Sequence, residues 1–449
     1  MAFDMESWTG NHPDVDSFTT LSCDLNGIFR GKRIPRWQAD KVTSGGVKLA
    51  LSTMGLDIWG EDAVASGMVF ETGDTDGICT PTGRGPYEVK WGDKATAIVP
   101  MWMFSEDGSP HLADPRHALN AIVNKYKTAG LTPVCATELE FYLYDIDSED
   151  YGPPKSPRSG RPMASNAIYA LSTLADMEGF LNDIYVECEK MDVPADAAIS
   201  EGGKGQFEIN LYHTDDALKA ADDAVLFKHI VKGVASKHGM GATFMAKPHG
   251  DRSGSGLHVH FSILDQDGKN IFDDGSDDGT DELRFAIGGL IDTMRDNTLI
   301  FAPHYNSYQR LQPDAHAPTK IAWGYENRTA ALRIPNGPPT ARRIEHRVSG
   351  ADANPYLVIA AILGGALHGI SDKIEPPKAV TGNAYADDTI ASLPENWLES
   401  IRAFETANQQ SDLYSADLVT MYLAAKKQEY DVFKATVSPY VRSVYIDTV

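Results

Sequence analysis

Residues 254–264 read GSGLHVHFSIL, and the alternation inside that stretch sets the architecture. In an extended chain successive side chains point to opposite faces. His258, His260 and Ser262 then share one face, while Leu257, Val259, Phe261 and Ile263 share the other. Three more stretches repeat the inversion. In 137–145 (TELEFYLYD), Glu138 and Glu140 are backed by Leu139, Phe141 and Leu143. In 205–212 (GQFEINLY), Gln206, Glu208 and Asn210 are backed by Phe207, Ile209 and Leu211. In 343–348 (RIEHRV), Arg343, Glu345 and Arg347 are backed by Ile344, His346 and Val348. The expectation is a sheet with one apolar face and one concave face lined by carboxylates, histidines and arginines.

Around these strands the period becomes helical over 176–191, 215–238, 281–295 and 354–370, and again from 398 onward. Asp114-Pro115-Arg116 opens another helix, with proline at its first position. Upstream, 17–25 and 28–35 flank Asn26-Gly27, a hairpin turn signal, and 90–103 reads as a further strand. Residues 147–165, rich in Pro, Gly and Ser, read as a surface loop. The fold class expected is α+β: a small β-rich domain over 1–112, then a larger domain over 113–449 with an antiparallel sheet and flanking helices.

A chain of 449 residues can bury a large core. Its net charge of −23 argues against nucleic acid and against an anionic membrane surface as partners. The same acidity suits a cationic ligand, and it equally suits plain solubility. Cys23, Cys79, Cys135 and Cys188 are widely spaced and read as reduced, buried thiols of a cytoplasmic protein. Residues 1–16 are polar and acidic, unlike a signal peptide. The apolar run 355–370 is broken by Gly364, Gly365 and Gly369 and is short for a bilayer span.

Buried carboxylates are costly unless paired or bound to a cation. Glu138, Glu140, Glu208 and Glu345 all sit on the polar side of half-buried strands, with Glu201 just upstream of one. Any one of them could lie on a solvated sheet face. Their recurrence, joined by His258, favours two hard divalent cations such as Mg²⁺ or Mn²⁺. Arg310, Arg328, Arg333, Arg342, Arg343 and Arg347 crowd one stretch of this acidic chain. Guanidinium forks match phosphate and carboxylate oxygens, although some of these arginines must pair with the acids. Metals facing arginines are what phosphoryl transfer needs. The loop 251–256 (DRSGSG) can hold an anion on its backbone N–H groups.

The segments TELEFYLYD, SEGGKGQFEINL, FMAKPHGDRSGSGLHVH, NSYQRLQPDAHAP, ENRTAALRIP, ARRIEHRV and GADANPYL resemble, in order, motifs of the glutamine synthetase superfamily over about residues 137–357. The segment 24–35 (DLNGIFRGKRIP) and GADANPYL look most like its γ-glutamylpolyamine synthetase branch. The resemblance implies a β-grasp N-terminal domain and a homo-oligomer, usually a dodecamer of two stacked hexameric rings with active sites between neighbours. By motif position it implies Glu140, Glu201 and Glu208 for one metal, and Glu138, His258 and Glu345 for the other. Arg310, Arg347 and Gly254 would bind L-glutamate, and His260, Arg328, Arg333 and Arg343 the phosphates of ATP. Asp57, in 56–62 (LDIWGED), is matched to an N-terminal aspartate that reaches into the neighbour's site.

Two departures stand out. Glutamine-forming members carry a Glu where this chain has His316, and Asn where it has Ser253. A neutral imidazole could take the proton of an incoming amine near pH 7 but would hold ammonium less well than a carboxylate. The expected activity is an ATP-dependent ligase joining the γ-carboxylate of glutamate to an organic amine, with a polyamine such as putrescine favoured. Glutamine synthesis from ammonia, a small-monoamine ligase, a kinase with a stable phosphate product and a non-catalytic ring are the alternatives.

Overall fold

The computed structural model describes residues 4–449 apart from 314 and 409. Seven strands build a first sheet: β1 (Ser17–Cys23), β2 (Phe29–Arg30), β3 (Arg33–Pro35), β4 (Val47–Ala50), β5 (Asp76–Pro81), β6 (Tyr87–Val89) and β7 (Thr96–Phe104). Its main order is β2-β1-β7-β5-β4, with β1 and β7 parallel at the centre. This is a β-grasp-like layout whose crossing segment is a kinked 3₁₀ stretch, Arg36–Val42, rather than a long helix. The Asn26-Gly27 turn closes the hairpin, pairing Cys23 with Phe29. The strand expected over 90–103 begins only at Thr96, because Gly92, Asp93 and Lys94 form a turn between β6 and β7.

Eight strands build the second sheet: β8 (Thr132–Asp145), β9 (Ala195–Ser200), β10 (Gln206–Leu211), β11 (Met240–Thr243), β12 (Leu257–Leu264), β13 (Trp323–Tyr325), β14 (Leu332–Ile334) and β15 (Ile344–His346). Its order is β13-β14-β15-β12-β8-β10-β9, and β11 also pairs with β8. Every pairing is antiparallel except β13 with β14. Leu257, Val259, Phe261 and Ile263 are all buried at 1 % exposure or less, so the apolar face of β12 is the core face.

The helix Ala217–Lys237 covers that core face and packs on a second, Pro355–Asp372. Asn354 caps the latter by accepting from the N–H groups of Tyr356 and Leu357, with Pro355 at its first turn. This apolar helix is 18 residues long, enough to cross a bilayer by length and composition, yet 72 % of it lies inside the fold. Its glycines serve close packing: a Cβ on Gly289 of the helix Asp281–Met294 would sit 2.2 Å from the Gly365 carbonyl oxygen.

Buried polar contacts tie the helices to one another and to the hairpin of the first sheet. Arg116 forks onto Asp222 at 2.8 and 3.0 Å, and the Tyr356 hydroxyl donates to the same carboxylate at 2.6 Å. At the hairpin tip, Lys426 of the helix Ala416–Ala435 donates to Asn26 Oδ1 and to Glu429 at 2.9 Å. Glu429 also accepts from the Ile58 N–H at 2.9 Å. All four cysteines are buried and unpaired.

Candidate active site

Strand register assembles the polar face. Glu138 of β8 lies opposite His258 of β12 on one side and Asn210 of β10 on the other. Glu140 lies opposite Glu208, and Glu345 of β15 opposite both His260 and Arg333. Because side chains alternate with period 2, the whole set projects from one face.

The contacts are dense. His258 Nδ1 is 3.2 Å from Glu138 and 3.9 Å from Glu345. His260 Nε2 meets Glu138 at 2.9 Å, and its Nδ1 is 3.2 Å from Arg343 Nε. Glu345, 1 % exposed, is held by Arg333 at 2.7 Å and by Arg347. Glu140 accepts from the Gly256 N–H at 2.9 Å. A Cβ on Gly256 would fall 2.8 Å from Arg310 Nη2 and 2.9 Å from His258 Nε2, so a side chain there would displace both groups. The buried Arg310 is aimed by bonds to the Val348 and Arg347 carbonyls.

The electrostatics split the carboxylates. Burial would raise Glu138, but the bonds from His258 and His260 outweigh it and hold the carboxyl well below its usual range. Burial likewise opposes ionisation of Glu345, yet Arg347, His260 and His258 bring it to about 2. Glu201 goes the other way, pushed up to about 7 by burial and by Glu140. Glu208 is also raised, first by burial and then by Glu138, Glu140, Glu201 and Glu345. Among the described residues, two triads present ligand atoms within 4.8 Å of one another: Glu138, His258 and Glu345, and Glu140, Glu208 and His258. The first coincides with one expected ligand set. In the second His258 stands where Glu201 was expected, and Glu201 lines the same cleft.

Among the described residues, a pair of cavities on this face share Glu138 and Asn210. One, about 630 Å³, is lined by the metal-type ligands together with Gly254, Arg310, His316, Arg328, Arg333 and Arg347. The other, about 820 Å³, takes His260 and Arg343, with Tyr212, Ser262 and Asn270. The four residues expected on ATP phosphates are thus divided between two chambers. Arg343 and Arg347 flank β15 rather than lying on it, since pairing spans only Ile344–His346. His316 is exposed on the cleft wall at a left-handed φ of 58°.

Asp57 follows the 3₁₀ turn Leu51–Gly55. It is 2 % exposed, and its carboxylate accepts from the Trp59 and Glu61 N–H groups and from Gln428 at 2.7 Å. Those bonds bracket the loop within its own chain. Asn166, Ile168, Tyr169 and Tyr385 line the smaller cavity without having been singled out as site residues. They come from irregular segments where no period marks a face. The Tyr169 N–H bonds the Ser200 carbonyl at 2.9 Å, bringing its loop beside Glu201.

Residues 112–445 match the family described as "Glutamine synthetase, catalytic domain". The chain belongs to the glutamine synthetase family. Within it, the chain is 39 % identical over 388 residues to the gamma-glutamylputrescine synthetase PuuA of Escherichia coli, covering 86 % of this chain and 82 % of that protein. It is 31 % identical to the gamma-glutamylethanolamide synthetase GlnA4 of Streptomyces coelicolor, covering 95 % and 92 %. Among solved structures, a GmaS/ADP complex superposes with a TM-score of 0.82 at 26 % identity, covering 99 % of this chain and 100 % of that one. That solved structure shares the α+β fold described above.

Proposed function

We propose that this protein is an ATP-dependent ligase that joins the γ-carboxylate of L-glutamate to an organic amine, with a polyamine such as putrescine favoured. The observation that carries the reading is the crowding of unneutralised carboxylates opposite arginines in one cleft. The likeness to a γ-glutamylputrescine synthetase over most of the chain supports the amine.

The donor set fits Mg²⁺ or Mn²⁺: hard oxygens, one shared imidazole, and carboxyls whose raised affinity for protons a cation would relieve. Glu138, His258 and Glu345 would hold one ion, and Glu140 and Glu208, with Glu201, the other. Bound there, two such ions supply charge neutralisation for the transferring phosphoryl group. Arg310, Arg347 and the Gly254 backbone orient glutamate so that its γ-carboxylate oxygen attacks the γ-phosphorus of ATP and ADP departs. His260, Arg328, Arg333 and Arg343 hold phosphate oxygens. The amine nitrogen then attacks the carbonyl carbon of γ-glutamyl phosphate, and inorganic phosphate leaves. Only an unprotonated amine has the lone pair, and His316 on the cleft wall takes its proton.

The reading includes a division near residue 112, a cytoplasmic setting and a homo-oligomeric ring assembly, two stacked hexamers with sites between neighbours. Exposed Trp37, Phe70 and Tyr440 are consistent with buried contacts in such an assembly.

The test is phosphate release with Mg·ATP and L-glutamate, comparing ammonium, methylamine, ethanolamine, putrescine and spermidine. A rate with putrescine or spermidine well above that with ammonium supports the reading. A best rate with ammonium makes the protein a glutamine synthetase. No amine-stimulated release and no Mg·ATP binding make it a non-catalytic ring.

A further inference from the structure

Glu326 touches the cleft only through another residue. It sits at the end of β13 in the left-handed region, φ 51°, a conformation a glutamate adopts at a cost. Its N–H bonds the Ile334 carbonyl at 3.0 Å. Its carboxylate accepts from Arg333 Nη2 at 3.2 and 3.3 Å and from the Asn336 N–H. Arg333 spends its other amino group, Nη1, on Glu345 at 2.7 Å, and its Nε is buried without a partner. The guanidinium is therefore stretched between an inner carboxylate that is 1 % exposed and an outer one that is 40 % exposed. Two residues on, Arg328 lines the same cleft, in a turn tied down by Asn327 through bonds to the Val380 and Gly382 carbonyls.

We propose that Glu326 is a positioning residue for the nucleotide: it clamps the outer end of Arg333 so that the guanidinium keeps one fixed orientation toward the phosphates. The inference rests on the reading that Arg333 meets ATP. Held at Nη1 alone, the planar group could pivot about its bond to Glu345. A second carboxylate at Nη2 removes that freedom before substrate arrives. The plainer role is that Glu326 merely caps the loop 335–339 through the Asn336 N–H.

Glu326→Gln separates the two, because an amide oxygen still accepts from Asn336 while the charged pair with Arg333 is lost. In Glu326→Gln, KM for Mg·ATP rises roughly two- to fivefold, the scale of a half-exposed ion pair. The KM for glutamate and the Tm stay at wild-type values. Glu326→Ala shows the same rise in KM for Mg·ATP together with a lower Tm. A wild-type KM for Mg·ATP in Glu326→Gln, with the defect confined to Glu326→Ala, overturns the inference and leaves loop capping. Arg333→Ala is the control. If it leaves KM for Mg·ATP unchanged, the assignment of Arg333 to ATP fails as well. If it raises KM while Glu326→Gln does not, only the role of Glu326 fails.

Discussion

Glu429 and Glu208 are both glutamates buried in this fold, at 0 % and 7 % exposure, and their protons behave in opposite ways. Burial opposes ionisation of both. At the hairpin tip Lys426 and His304 overcome it and bring Glu429 to about 2. On the cleft floor the leading influences on Glu208 after burial are four more carboxylates, and its affinity for a proton rises. One region buries acids with their counter-charges, so it holds the chain together. The other gathers acids faster than it neutralises them, which opposes folding wherever no counter-charge is supplied. Depth of burial is the same kind of fact in both places; only the neighbours distinguish scaffold from site.

The largest effect is expected from Glu208→Gln. Removing a metal-type ligand should cut amine-dependent phosphate release by more than about 100-fold, a loss seen in steady-state assays. The same change should raise the Tm of protein kept in EDTA, because it relieves like-charge crowding. A fall in Tm would erase the contrast. Glu429→Gln should do the reverse. It leaves Lys426 buried without its ion pair and costs about 3–5 kcal/mol in denaturant unfolding. The KM values of the folded protein should not change.

Acid and alkali should separate the regions next. Glu201 has a folded value of about 7 against an ordinary 4.5, so the folded state binds the extra proton between those limits. Its contribution therefore favours folding below pH 4.5 and is lost as pH rises toward 7. Glu429 is depressed from 4.5 to about 2, so its stabilisation is present above pH 4.5 and disappears as pH falls toward 2. Melting curves in EDTA across this range should show Glu201→Gln flattening the upper limb and Glu429→Gln the lower one. Adding Mg²⁺ should restore stability on the upper limb only. The smallest effect belongs to Lys427→Ala. Its pair with Glu405 is nearly half exposed at both ends, and its loss should shift stability by under about 0.5 kcal/mol.

The cleft floor was legible in the sequence because period 2 puts Glu138, Glu140, Glu208, His258 and Glu345 on polar faces that apolar neighbours oblige to point one way. Helices announced by caps, such as Asn354-Pro355 and Asp114-Pro115, were legible for a similarly local reason. Partnership across the chain was not. Nothing near Asp57 reveals that Gln428, 371 residues away in the chain, closes on it. Tyr169 and Tyr385 reach the cleft from segments without a period, and the clamp on Arg333 exists only once Glu326 adopts its left-handed turn. The division of His260 and Arg343 from Arg328 and Arg333 is likewise a property of the sheet's surface, invisible to spacing.

The hairpin turn at Asn26 also has a history built into it. The lysine that satisfies Asn26 Oδ1 lies 400 residues further along the chain. A ribosome adding about 5–20 residues per second delivers that lysine roughly 20–80 s after the turn has emerged. During that interval the Asn26 amide can reach the Leu56 carbonyl but has water in place of Lys426 and Glu429. The hairpin turn is therefore finished only after a helix 400 residues downstream has been made.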